Sequence, residues 1–140
     1  NMGQDIRLTR IVMENDCSNL KYDDLISFSL YLKKIKERPS MRLRLDVYYM
    51  DGVPIGVYES KNISIKDNDA LKCSFQLGNL PMGRYYFVPD VYEIDEYGRF
   101  KSLDHPFKKI YFNIAEDRIN ALQWDHRYMG HVRLNDLITK

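Results

Sequence analysis

The chain has little of what most catalytic chemistry draws on. Its 140 residues include two cysteines and three histidines, and 21 basic side chains nearly cancel 20 acidic ones to leave a net charge of +1. Cys17 and Cys73 are too few for a disulfide framework and have no CxxC spacing, although a single pairing of the two stays open. Cys73 falls in the alternation Leu71, Cys73, Phe75, Leu77 and reads as a small buried hydrophobe in a reducing compartment. The near-zero charge excludes a whole-molecule field that would draw nucleic acid or a membrane surface, so recognition must be local and no nucleic-acid partner is expected. No run approaches the roughly 18 consecutive apolar residues of a spanning helix, and the N-terminus lacks the charged-then-apolar signal pattern, so the chain reads as soluble.

Catalytic motifs are missing as well. There is no GxxxxGKS loop, no GxGxxG after a strand, no GxSxG elbow and no HExxH. His105 stands beside Asp104 and His126 beside Asp125, but His126 and His131 lack ligand spacing on a helix, so all three histidines read as structural or solvated. No serine or cysteine has a histidine nearby in sequence to activate it. A glycosidase pair would leave no spacing signature, and the abundant carboxylates read more simply as turn formers and strand-edge charges. Asp67-Asn68-Asp69 could lend oxygens to calcium, yet an Asx turn explains the same residues, and calcium wants about six to eight oxygens. The expectation is a domain that is not an enzyme, with no metal and no cofactor.

What the chain does have is strand rhythm and tyrosine, eleven of them, each with an apolar face and a polar tip. Residues 5 to 14 give a first strand, and Asn15 to Asn19 a polar turn. Leu25 to Leu32 places Ile26, Phe28, Leu30 and Leu32 on one face and Ser27, Ser29 and Tyr31 on the other. The basic stretch Lys33 to Pro39 reads as a solvated connection rather than a phosphate patch. Met41 to Met50 alternates again, with Leu43, Leu45, Val47 and Tyr49 inward, and ends in the turn Asp51-Gly52. Pro54 to Glu59, a short strand at Ile63 and Ile65, and Leu71 to Leu77 follow. A turn at Pro81 and Gly83 then opens the aromatic run to Ile94, which Asp95 to Gly98 closes, and Lys108 to Ile114 is a further strand. In the tail, Arg118 to Leu122 suggests a helical turn and Gly130 to Leu134 a late strand. About eight strands at roughly ten-residue intervals predict an all-β antiparallel sandwich, immunoglobulin-like or jelly-roll.

If the strands at 41–50, 84–94 and 108–114 lie side by side, alternation sends nine residues outward. They are Arg44, Asp46, Tyr48, Tyr86, Asp90, Tyr92, Lys109, Tyr111 and Asn113. Tyrosine faces flanked by hydrogen-bonding groups suit a sugar ring, whose C–H face stacks while its hydroxyls are bound. The same residues equally suit a face packed against another protomer or domain. Pro89 has no N–H to give the ladder and argues for a bulge or an edge position there, and a bulge would turn Asp90 and Tyr92 to the other face.

The order of features resembles the C-terminal domain of Wzt-type ATP-binding subunits of polysaccharide ABC transporters. The matching pieces are Ile6 to Met13 with its polar turn, the strand from Leu25 to Leu32, Leu43 to Gly52, and above all Leu80-Pro81-Met82-Gly83-Arg84-Tyr85-Tyr86. Tyr92 to Gly98, Tyr111 to Ile114 and Gly130 to Leu134 continue it, so the likeness covers nearly the whole chain. It implies a non-catalytic carbohydrate-binding domain that takes a lipid-linked, O-antigen-like polysaccharide on the cytoplasmic side of the membrane. It also implies a homodimer, in some members with an exchanged terminal strand, and as partners an upstream nucleotide-binding domain and a membrane permease. Asn1-Met2-Gly3 reads as an added leader, so residues 1–140 are expected to be one domain excised from a longer chain. The alternative is a dimerisation or scaffolding module that uses the same tyrosine face.

Overall fold

The aromatic run at the centre of the sequence becomes the central strand of the larger of two sheets. A computed structural model describes residues 2–38, 40–66, 70–106, 108–119 and 124–140. Its strands are β1 (Ile6–Met13), β2 (Leu20–Lys21), β3 (Leu25–Lys34), β4 (Met41–Tyr49), β5 (Pro54–Glu59), β6 (Ala70–Gln76), β7 (Gly83–Ile94), β8 (Phe100–Asp104) and β9 (Ile110–Glu116), followed by one helical turn, α1 (His126–Met129). One sheet has the order β1-β3-β6; the other runs β2-β9-β7-β4-β5, with β8 also paired to β7. All pairings are antiparallel except β2 with β9. The result is the all-β sandwich that the strand rhythm predicts.

The core lies between the sheets and follows the alternation. Ile26, Phe28, Leu30 and Leu32 of β3, Leu43, Leu45 and Val47 of β4, Tyr85, Phe87 and Val91 of β7, and Phe112 of β9 are all buried. Their rings interlock: Phe28 and Phe87 are 5.5 Å apart, and Tyr85 stacks on Phe112 at 5.4 Å. Burying each such side chain stabilises by about 1.5–3 kcal/mol, so this interior holds the two layers together. The Tyr85 hydroxyl finds a partner in the Pro81 carbonyl at 2.6 Å, and burial raises its pKa. Cys17 and Cys73 are both free and half-buried, and burial pushes the Cys73 thiol up to about 11, as suits a packing group.

Several expectations are corrected. Ile63 and Ile65 form no strand: Ile63 N–H bonds to Met41 O at 2.8 Å, and Ile65 packs into the core from a loop. Residues 130–134 form no strand either, and one backbone bond, Arg133 N–H to Asn79 O at 2.8 Å, ties them to the sandwich. The helical turn falls at His126–Met129, while Asn120 to Leu122 lie outside the described residues, as do Asp67-Asn68-Asp69 with their calcium reading. Pro89 makes no bulge, because β4 and β7 pair in unbroken register from Met41↔Glu93 to Tyr49↔Tyr85. Proline is tolerated there because the opposite edge of β7 passes from β9, last paired at Phe87, to β8, first paired at Val91. The connection at 33–38 is solvated as its charge suggests, with Lys33, Ile35, Lys36 and Glu37 exposed, while Arg38 pairs with Asp5 and, at 3.0 Å, with Glu93.

Candidate functional site

Because β9, β7 and β4 are neighbours in that order, one outer face carries all nine residues that alternation selects. The register sets Tyr48 opposite Tyr86 and Tyr86 opposite Tyr111, so three tyrosines from three strands meet in a row. Tyr48 stacks on Tyr86 at 5.0 Å, and Tyr86 meets Tyr111 at 5.3 Å. The Lys109 ammonium lies 4.9 Å from the Tyr86 ring centre, and the Arg84 guanidinium 4.9 Å from that of Tyr111. Such cation–π contacts contribute about 0.5–1 kcal/mol each at exposed sites and stiffen the row. Tyr111 is its open end, 45% exposed, whereas Tyr86 is 6% exposed. Burial, and then the nearby Asp46 and Tyr86, raise the Tyr48 pKa, so its hydroxyl stays a donor at neutral pH.

The other half of the face is closed by its own polar groups. Asp90 and Tyr92 point away from the core, as alternation requires, but they are 1% and 2% exposed. Asp90 accepts from Ser102 Oγ at 2.7 Å and from Arg44 Nη2 at 3.1 Å, with His105 Nδ1 at 3.3 Å. Arg44 also sets its Nε 2.8 Å from Asp46 and its guanidinium 4.1 Å over Phe100. Burial pushes the Asp90 carboxyl above its ordinary value, while Ser102, His105 and Arg44 pull it back. Tyr92 packs on Phe100 at 4.7 Å and donates to Glu59 Oε2 at 3.2 Å. Asp46, Asp90 and His105 bring one ligand atom each within 4.8 Å of one another, but Arg44 already supplies the cation between the two carboxylates.

The expected nine-residue open platform is therefore two units: a tyrosine row with cations, open at Tyr111, and a salt-bridged cluster that braces it from beneath Phe100. Asn113 is committed too, its side-chain amide donating to Ser18 O at 3.2 Å. Sequence reasoning missed Arg84, Phe100, Ser102 and His105. The last three sit on or just after β8, a five-residue strand too short and too polar to show alternation. At the open end of the row a cleft of about 600 Å³ runs between Asn15 to Ser18 on one wall and Arg84 and Tyr111 on the other. Chemically this offers an exposed aromatic face, a fixed guanidinium, and hydroxyl and carbonyl groups within one cleft. None of the described helices is long and apolar enough to cross a membrane.

No protein-family model and no curated protein matches this sequence. The chain matches two structures of the CARDB domain of PF1109 from Pyrococcus furiosus, at 13% and 12% identity. They cover 79% and 81% of this chain and 96% and 97% of those, with TM-scores of 0.39 and 0.38, too low to bear on the site. It is also similar to the crystal structure of the C-terminal domain of Wzt, at 15% identity over 96% of this chain and 83% of that one, with a TM-score of 0.67. At that identity the likeness is one of architecture, and the fold of this chain is that of the Wzt C-terminal domain.

Proposed function

We propose that this chain is a non-catalytic carbohydrate-binding domain. It binds a lipid-linked cell-surface polysaccharide at the cytoplasmic face of the membrane for an ABC transporter, as a homodimer, beside a nucleotide-binding domain and a membrane permease. The observation that carries this reading is the Tyr48–Tyr86–Tyr111 row, open at Tyr111 and flanked by Arg84, Lys109 and the adjoining cleft. A pyranose stacks its C–H face on Tyr111 while Arg84 and the Asn15 to Ser18 wall take hydroxyls. Specificity then comes from polar groups that a wrong sugar leaves unpaired.

Titrating the isolated domain with its cognate glycan while recording NMR shifts tests the proposal. Resonances of Tyr111, Lys109, Arg84 and residues 15–18 are expected to move together and saturate. Shifts confined to residues 33–38, or none that saturate, overturn it. The scaffolding alternative needs a broad apolar area. Tyr86 and Tyr92 are already covered within their own chain, so Tyr111 is the most open tyrosine on the face. Sedimentation at rising concentration separates the two readings, since loss of a dimer in Tyr111→Ala with glycan binding intact favours the scaffold.

A further inference from the structure

Two histidines that spacing leaves unconnected meet at one end of the larger sheet. The Nδ1 atoms of His126 and His131 are 2.9 Å apart, and His126 Nε2 lies 2.7 Å from the carbonyl oxygen of Met82. Tyr49, at the end of β4, covers both imidazoles at 4.1 and 4.5 Å in nearly parallel planes. Gly83, the first residue of β7, is shaped around this contact: a Cβ there would stand 2.6 Å from His126 Nε2.

The partners fix the hydrogens. A carbonyl only accepts, so His126 Nε2 carries the proton; a neutral imidazole has one N–H, so His126 Nδ1 accepts and His131 Nδ1 donates. One charged imidazole leaves the contact intact, because one Nδ1 still donates and the other accepts. With both imidazoles charged, two N–H groups and two positive charges would face each other across 2.9 Å. Burial holds the His126 pKa below the ordinary value against the pull of the Met82 carbonyl.

The segment these histidines belong to has no strand pairing to hold it. Besides the histidine contacts, residues 124–140 are tied by Arg133 N–H to Asn79 O, by Arg133 to Asp117 at 3.3 Å, by Asn79 to Asn135 at 3.2 Å, and by Asp136 to Arg118 at 3.6 Å. We propose that the His126–His131 pair beneath Tyr49 is a proton-operated latch, which fastens residues 124–140 to the start of β7 while at most one imidazole is charged and releases them when both are.

The charged and titratable groups around the pair are Tyr49 and Asp51 from β4 and its turn, Tyr85 from β7, Asp117 after β9, and Asp125, Arg127 and Arg133 from the segment itself. Asp51 and Asp125 favour charge on His126 but are bonded to their own backbone, at Val53 N and Arg127 N. Asp117 leaves the window clear: burial raises its pKa, but the Met82 N–H, Arg133 and the Ile119 N–H together hold it below the ordinary value. Release therefore falls below the usual histidine range, near pH 6.5, and each further pH unit multiplies the released population about tenfold.

Trp124 is the one tryptophan, and it lines the cavity that Tyr49 and Asp51 form with His126 and His131, so its fluorescence reports docking. A fluorescence transition below about pH 6.5 is expected, with far-UV circular dichroism unchanged and proteolysis within 130–140 quickened about tenfold per unit. His131→Asn is expected to stay docked without the transition, because its amide donates to a neutral His126 and can turn to accept from a charged one. Long-range proton–nitrogen NMR of the unmodified protein gives an answer whatever the variant does, with His126 expected as the neutral Nε2–H form at pH 7.5. The latch is overturned by a charged or Nδ1–H His126 at that pH, by fluorescence that changes only with global unfolding, or by the same midpoint in His131→Asn.

Discussion

Asp90 carries a carboxylate at 1% exposure, and its neighbours decide whether the fold can tolerate it. Removing Arg44 leaves that charge with Ser102 and His105 alone, so Arg44→Ala is expected to cost about 3–5 kcal/mol, measured by urea denaturation. Asp90→Asn keeps the Ser102 contact and removes the buried charge, and is expected to cost less than about 2 kcal/mol. The pH dependence follows from the direction of the shift. The folded pKa of Asp90 lies above its unfolded value near 3.8, so folding takes up a proton there, and this contribution is full below that value and declines as pH rises through the folded pKa. Asp90→Asn should remove that decline in urea midpoints taken from pH 4 upward. Asp117 has the opposite sign: its folded pKa is depressed, so its contribution is full above 3.8 and is lost as pH falls through the folded value. Asp117→Asn should accordingly flatten the acid limb below pH 4.

At the scale of the element, β7 shows what the sequence makes legible and where it stops. The period of two places Tyr85, Phe87 and Val91 in the core, because that signal belongs to the strand itself, whereas its neighbours β4 and β9 are a supposition that the sheet order bears out. Exposure does not belong to the strand. Asp90 and Tyr92 are on the outer face as read, but they are covered by Ser102, His105 and Phe100, and β8 is too short to announce itself by alternation. Of the two readings of Pro89, a bulge or an edge position, the second holds, since a missing N–H matters only if a neighbour asks for it, and β9 and β8 both leave that point of the edge unpaired. The turn at Pro81 to Gly83 was legible as a turn, but its shaping around His126 rests on a contact 43 residues away in sequence. Gly83 has φ of +149°. Gly83→Ala is expected to displace the imidazole and cost about 1–3 kcal/mol, read as a lower urea midpoint together with a changed Trp124 emission.

For the whole molecule, the two sheets share one interior, so unfolding should be a single cooperative transition whose midpoint reports ligand binding as well as packing. A ligand that binds only the folded state stabilises by about 2.7 kcal/mol at 100 times its Kd, which for a domain of this size raises Tm by roughly 10 °C. The sandwich does not depend on Tyr111 in the way it depends on Tyr85, because Tyr111 is 45% exposed and Tyr85 is fully buried. Tyr111→Ala should therefore leave the ligand-free Tm within about 2 °C of the unmodified protein, the range usual for surface substitutions. If Tyr111 is the stacking face, a tenfold loss of affinity brings the same glycan concentration to about ten times Kd, where stabilisation is about 1.4 kcal/mol and the rise in Tm is about half as large. If the tyrosine row only braces the sheet, the same substitution lowers the ligand-free Tm and leaves the glycan-induced rise intact. Scanning calorimetry of the two proteins, with and without glycan, distinguishes these outcomes, because packing moves the baseline midpoint and recognition moves the increment.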